Sequence, residues 1–291
     1  MDSYARGPAF ALTTETAPQV LAETVRKFPD REALIVPHQQ IRLSWAQLAD
    51  EVEKTARGLT GLGLAPGDRV GVWATNCAEW IYLQLGCARA GLVQVNVNPA
   101  YRALELAYVL KRSGVKALIL RCEDARSKYR EILEQAIHGE VLALEHVVYL
   151  GEESWDRMIA EGVDIPDFAA DCHDVLNIQY TSGTTGSPKG VLLTHHNLLN
   201  NGRICAHGLR YTEQDRVCSP VPMYHCFGCV IGTMAALSAG AALILPAPSF
   251  DPLSTMQAIH QERATSIYGV PTMFIAQLTH PEFSRFDFSS L

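Results

Sequence analysis

Apolar positions along the chain follow two rhythms. Stretches with the three-and-four spacing of an amphipathic helix alternate with short, almost wholly apolar runs, and after the first forty residues the alternation is regular. Ser44 followed by Trp-Ala-Gln-Leu-Ala-Asp-Glu-Val joins an N-cap residue to a helical pattern. It predicts a helix to about Leu62, then a strand over 69–73. The same reasoning predicts helix 78–90, strand 92–97, helix 103–113 closed by Gly114, strand 117–120, helix 125–136 and strand 146–150.

A polar, acidic stretch from Gly151 to Asp174 follows. It predicts a division into a first α/β subdomain over 1–174 and a second over 175–291. In the second part, strands are predicted over 175–180, 190–193, 241–245 and 266–268, with helices over 197–207 and 252–263. Strands apolar on both faces, as in Ala-Leu-Ile-Leu at 242–245, suit mainly parallel sheets flanked by helices. The uncharged run 228–245 approaches membrane-spanning length. Ser238, Gly240 and the small residues around them break it into a buried helix, a turn and a short strand, so no transmembrane segment is expected.

Composition narrows the classes. Hydrophobic residues are 48% and charged residues 19% of the 291, a packed globular composition. Lys and Arg number 24 against 31 Asp and Glu, a net charge of −7 with no basic cluster, which argues against nucleic acid as a partner. An anionic ligand must then be held by a local site. Eight scattered cysteines, and a start (MDSYARGPAF) with neither a basic nor an apolar leader region, lead to the expectation of a reduced, cytoplasmic setting.

One segment supplies such a local site. Tyr180-Thr-Ser-Gly-Thr-Thr-Gly-Ser-Pro-Lys-Gly190 packs five Ser/Thr hydroxyls, three glycines and one lysine between two apolar runs. Glycines let backbone N–H groups converge, hydroxyls add donors without bulk, and Lys189 adds a mobile positive charge, together a cradle for polyphosphate. A Walker A loop requires G-x-x-x-x-G-K-[ST] leading into a helix. Here the spacing is Gly183-x-x-Gly186-x-x-Lys189, and Val191-Leu-Leu-Thr194 reads as a strand, which disfavours a P-loop NTPase.

Tyr180 to Asn197, YTSGTTGSPKGVLLTHHN, closely resembles the signature loop of the adenylate-forming superfamily: acyl-CoA synthetases, luciferases and peptide-synthetase adenylation domains. Asn76-x-x-Glu79-Trp80, Asn98-Pro-Ala-Tyr-Arg102, Pro222-Met-Tyr-His-Cys-Phe-Gly228 and Tyr268-Gly-Val-Pro-Thr272 extend the resemblance over nearly the whole chain. FPDREALIVPHQQIRLSWAQLA and VNVNPAYRALELAYVLKRSG look most like medium- and long-chain fatty acyl-CoA synthetases. The resemblance implies the N-terminal large-domain portion of an enzyme that uses ATP, Mg2+ and CoA to convert a fatty acid to acyl-CoA through an acyl-adenylate. It places Thr181, Ser182, Gly183, Thr184, Thr185, Gly186 and Lys189 on the ATP phosphates, and Thr181 also on Mg2+.

By the same resemblance Lys189 and His225 are the candidate catalytic residues, His225 positioning rather than acting as a base. Tyr224, His225, Gly228, Gly232, Val270 and Pro271 fall where the acyl-pocket walls lie, with ordinary helix packing an equal reading of the glycines. Cys226-Phe-Gly-Cys229 has metal or redox spacing, but its apolar surroundings favour two buried thiols; His195 and His196 begin a helix. The family's Tyr-Gly-x-Thr-Glu and Thr-Gly-Asp motifs and its mobile C-terminal domain are absent up to Leu291. The chain is therefore expected to be an incomplete, inactive fragment of a ligase, with a truncated nucleotide-binding or interaction module and a peptide-synthetase adenylation domain as alternatives.

Overall fold

The structure is a computed structural model that describes residues 9–138, 143–166, 168–181 and 188–291. In chain order it runs α1 (Ala17–Lys27), β1 (Glu32–Val36), β2 (Ile41–Ser44), α2 (Trp45–Gly61), β3 (Arg69–Trp73), α3 (Ala78–Arg89), β4 (Val93–Asn96), α4 (Ala103–Ser113), β5 (Val115–Leu120), α5 (Tyr129–Ile137), β6 (His146–Tyr149) and α6 (Glu153–Ala160). It continues through β7 (Val175–Thr181), β8 (Lys189–Thr194), α7 (His195–Gly208), β9 (Arg216–Cys218), a π-helical segment (Phe227–Gly232), α8 (Thr233–Ala239), β10 (Ala242–Ile244), α9 (Pro252–Glu262), β11 (Ser266–Ile267) and α10 (Pro271–Leu278). The strands form two sheets, ordered β11-β9-β10-β1-β2 and β6-β5-β3-β4-β7-β8. Pairing is parallel except at one edge of each, where β1–β2 and β7–β8 are antiparallel. β1 pairs with β10 and β4 with β7, so each sheet draws strands from both sides of position 174 and the linear division there separates neither sheet.

Side-chain alternation explains why strands read as apolar throughout. Val70, Val72, Ala117 and Ile119 of the six-stranded sheet enter a central core with Leu34, Val36, Val217 and Leu243 of the five-stranded sheet and with α1, α2, α3 and α8. Their neighbours Trp73, Leu118 and Leu120 face the other way, onto α4 and α5. Ile35, Cys218 and Ile244 likewise turn outward beneath α9. The result is five layers, with the central helices enclosed between two sheets.

Local chemistry sets the boundaries that the sequence predicts well. Ser44 Oγ accepts the Gln47 amide while Gln47 Oε1 accepts the Ser44 amide, a reciprocal cap that starts α2. Gly114, at φ 59°, ends α4. Gly240, at φ 72°, separates α8 from β10, and a Cβ there would lie 2.5 Å from Phe28, so the turn expected inside the apolar run is real. No helix among the described residues is long and apolar enough to cross a membrane. The alternation also begins earlier than expected, with α1, β1 and β2; α6 occupies part of the acidic stretch; β9 and α10 were not foreseen.

His195 opens α7 as expected, but its role is tertiary: its Nδ1 accepts the Ala17 amide at 3.1 Å and ties the first turn of α1 to that of α7. Burial holds this imidazole below the usual histidine range. The unfolded chain takes up the proton first, so His195 contributes stability that is fully present above about pH 6.5 and is lost as pH falls through the lowered folded value. Urea midpoints of the unaltered protein are expected to fall between about pH 7.5 and about pH 5.5, and to fall less in His195→Gln. Burial also lowers His38, which accounts for a residual slope; identical slopes in the two proteins would refute the assignment.

Candidate active site

The segment between β7 and β8 is anchored at both flanks by one helix. Tyr108 OH donates to Pro188 O at 3.0 Å, and Ser113 Oγ lies 2.7 Å from Tyr180 OH, so α4 holds the chain on either side of the predicted phosphate loop. Tyr108, Arg112, Tyr180, Lys189 and Leu192 line a recess of about 460 Å3 between α4 and the strands β7 and β8. Ser182, Gly183, Thr184, Thr185 and Gly186 lie outside the described residues. Thr181 and Lys189 are described, both exposed and directly opposite each other in the ladder. Opposed residues share a face, and with period two that face also carries Gln179 and Val191. Gln179 points inward, its Nε2 3.3 Å from Cys229 Sγ, whereas Ile178 and Tyr180 face α4 and the outer core. By register Lys189 leaves the strand on the side of the sheet where Cys229 and its segment sit, and at the strand end it also borders the recess against α4.

That segment carries His225. Asn76 grips the preceding turn twice: its Nδ2 donates to Val221 O at 3.0 Å and its Oδ1 accepts the Met223 amide at 2.9 Å. Asn96 Nδ2 donates to Tyr224 O at 3.1 Å, and Gln84 Nε2 donates to Cys229 O at 2.8 Å. Tyr268 OH donates to Ile231 O at 3.2 Å, and its ring lies 5.7 Å from that of Phe227. These side chains satisfy carbonyls in and around the wide π turn, a geometry frequent at functional sites. Asn76, Gln84, Asn96 and Gln179 received no role from the sequence. The available signal was Gln94-x-Asn96 and Asn177-x-Gln179, polar pairs at period two inside otherwise apolar strands.

His225 is exposed, and its Nδ1 accepts the Phe227 amide at 3.1 Å. In the neutral ring the proton then sits on Nε2, which makes His225 an outward hydrogen-bond donor. Tyr224 is half-buried, and burial raises its phenol above the usual range. Val270 and Pro271 are exposed at the start of α10, beyond Tyr268. The two glycines behave differently from open pocket walls. A Cβ on Gly228 would lie 2.4 Å from Pro222 O, and one on Gly232 3.1 Å from Ser219 Oγ, so backbone and side-chain packing already fill those volumes.

The Cys226/Cys229 pair needs correction. Cys229 is buried, with its thiol pushed up to about 12 by desolvation, but Cys226 is exposed, because the helical turn points the two in different directions. Among the described residues the one cluster with metal-binding spacing is Asp171, Cys172 and His173. It precedes β7, and Thr181 ends it, about 20 Å away by the rise of a strand. Thr181 could add a single hydroxyl oxygen to a magnesium ion carried by a polyphosphate; the described residues form no cage around it.

The chain matches the family described as AMP-binding enzyme over residues 21–291. It is 40% identical to the mitochondrial medium-chain acyl-CoA ligase of Homo sapiens across 312 aligned residues, which cover 96% of this chain and 50% of that protein. The chain thus spans about half the length of the curated relatives it matches. Among solved structures it resembles the Mycobacterium tuberculosis fatty acyl CoA synthetase, with TM-score 0.82 and 25% identity over 95% of this chain and 53% of that one. It also resembles ATP-bound MatB of Rhodopseudomonas palustris, with TM-score 0.76 and 28% identity over 92% and 52%.

Gly228→Ala is expected to destabilise the protein by about 1–3 kcal/mol, the usual cost of overpacking, since the turn at Pro222 must shift to admit the methyl group. Urea denaturation measures it, and an unchanged midpoint would show that the turn yields freely.

Proposed function

The chain belongs to the AMP-binding enzyme family, and from that premise we propose that it supplies the carboxylate-activating half of a fatty acyl-CoA ligase. One observation carries the reading: strand register puts Lys189 and Thr181 on the same side of the sheet as the segment bearing His225. In this reading the cation that would meet polyphosphate and the group that would orient a carboxylate serve one region.

In the proposed reaction a carboxylate oxygen attacks the α-phosphorus of ATP and the bond to the β-phosphate oxygen breaks, releasing diphosphate and leaving an acyl-adenylate. The thiol of CoA then attacks the acyl carbon and AMP departs. Charge collects on the leaving diphosphate in the first step. Lys189 is a compact, mobile cation well suited to meet it, and Thr181 adds a neutral donor beside it. His225 presents Nε2–H, so it holds and orients an acceptor oxygen rather than removing a proton; the substrate carboxylate is already ionised at neutral pH. Magnesium supplies charge neutralisation on the phosphates, with Thr181 as its candidate protein oxygen. A medium chain length is suggested by the human relative, whose own name specifies it.

The first test is to read the coding DNA past codon 291 and to express what the frame encodes. The proposal expects the frame to continue, and the resulting protein to release diphosphate from ATP in the presence of a medium-chain fatty acid and to form acyl-CoA. Lys189→Ala is expected to slow diphosphate release by about 10²-fold or more, the usual effect of losing one transition-state donor. An unchanged release rate in that variant would remove Lys189 from the first step.

A further inference from the structure

Two asparagines hold the turn that carries His225 at both of its shoulders. Asn76 lies just beyond β3 and is 2% exposed; it grips Val221 O and the Met223 amide with its two ends. Asn96 ends β4 and is 3% exposed. Its Oδ1 accepts from Gln94 Nε2 at 3.1 Å and Asn177 Nδ2 at 2.8 Å, which fixes the amide so that Nδ2 must face the turn. That nitrogen donates to Tyr224 O, the carbonyl of the peptide that enters His225, and lies 3.6 Å from Cys229 Sγ.

We propose that Asn76 and Asn96 are positioning residues that fix the backbone on either side of Tyr224 and so set the place and tautomer of His225. This rests on the reading of His225 as the group that faces the reacting carboxylate. The physical basis is the contrast between an exposed ring and its buried supports. His225 itself has solvent around it, and its ring is met only at Nδ1, by the Phe227 amide at 3.1 Å and by the Sγ of the exposed Cys226 at 3.6 Å, both from its own turn. Nothing on its own side chain can hold it to the tolerance that a reacting pair requires, where a displacement of about 1 Å costs about 10²-fold in rate. The buried amides can, because they are bonded at both ends and belong to strands and loops of a fully packed sheet. Asn96 has a further consequence. Asn177, which bonds it, lies two residues before Gln179 on β7, the strand that leads into the phosphate loop. The loop strand and the His225 turn are therefore braced against the same side chain.

The first arm of the test uses the 291-residue chain without any activity. In protein with 15N-labelled histidine at about pH 8, where imidazole is neutral, the His225 resonances, assigned by their loss in His225→Gln, are expected to show an unprotonated, hydrogen-bonded Nδ1 and a protonated Nε2. The Met223 amide is expected to be protected from hydrogen exchange. Either result failing in the unaltered chain overturns the proposal even if no variant folds. Asn76→Ala and Asn96→Ala are expected to shift His225 toward the tautomer mixture of a free imidazole. Thr24→Ala, which deletes the buried bond from Thr24 Oγ1 to Leu237 O elsewhere in the core, serves as the stability control. It is expected to leave the His225 signals in place. Equal spectra for the asparagine variants and the unaltered chain would overturn the proposal, as would an equal change in the control.

The second arm uses the complete protein. Asn76→Ala is expected to lower kcat for diphosphate release by about 10²-fold with KM for ATP unchanged, since it touches neither the phosphate contacts nor the loop strand; Asn96→Ala, which also releases Asn177 of that strand, is expected to lower kcat at least as far. A rise in KM for ATP with kcat unchanged would overturn the positioning role. Absence of acyl-CoA formation by the unaltered complete protein would instead remove the ligase reading, and the spectra would still decide the positioning of His225.

Discussion

Helix α3 is enclosed between two sheets, and most of the structure follows from what that enclosure forbids. From Ala78 to Ala88 only Glu79 escapes burial, so this helix has no polar stripe to turn toward water. Its neighbour α2 must come close: a Cβ on Gly86 would lie 3.1 Å from the Thr55 side chain. A buried polar group in this layer can find a partner only inside the protein, and an unpaired one costs about 1–3 kcal/mol. Gln84, on the same helix, meets half of that demand: its Nε2 donates to Cys229 O, whereas its Oε1 and the Trp80 Nε1 are buried without a partner among the described residues.

The same constraint decides where chemistry can happen. A sheet covered on both faces offers no open surface, so reactive groups must sit beyond strand ends, and β7 shows the transition along its length. Asn177 and Gln179 are buried and bonded within the core, whereas Thr181, two residues further on the same face, is exposed and lies opposite Lys189. On the far side of the region, Tyr224 is half-buried and His225 exposed, both resting on buried amides. The packed interior contributes rigidity and the rim contributes accessible charge and donors. Cys229 belongs to the interior: burial keeps its thiol neutral, and it serves as a hydrogen-bond acceptor for Asn96 and Gln179.

Elements whose limits are set by local chemistry were legible in the chain. The reciprocal cap at Ser44, the αL glycine at 114 and the apolar run of β3 each act over a few residues, and α2, α4 and β3 lie where those signals put them. Elements held by distant partners were not. β9 is three residues long and is a strand because β10 and β11 pair with it. β1 and β2 follow too short a stretch of pattern to be read alone, and β1 gains its place from β10, over two hundred residues away. The acidic stretch 151–174 reads as a linker because its charges dominate the pattern, yet α6 uses Met158 to pack into the central core, closely enough that its carbonyl meets Gly58.

The site divides in the same way. Loop composition, and the resemblance it carries, are properties of contiguous residues, so the sequence by itself determined the α/β class and the family. Direction and neighbourhood are not contiguous properties. Only the tertiary structure decided that Lys189 faces the His225 side of the sheet, that Gly228 is small because Pro222 O fills its space, and that Cys226 and Cys229 part company. It also decided that four amides spread from Asn76 to Gln179 support one turn. The reason is physical: burial and hydrogen bonding between residues far apart in the chain are settled by packing, and no local pattern encodes which distant carbonyl an amide will meet.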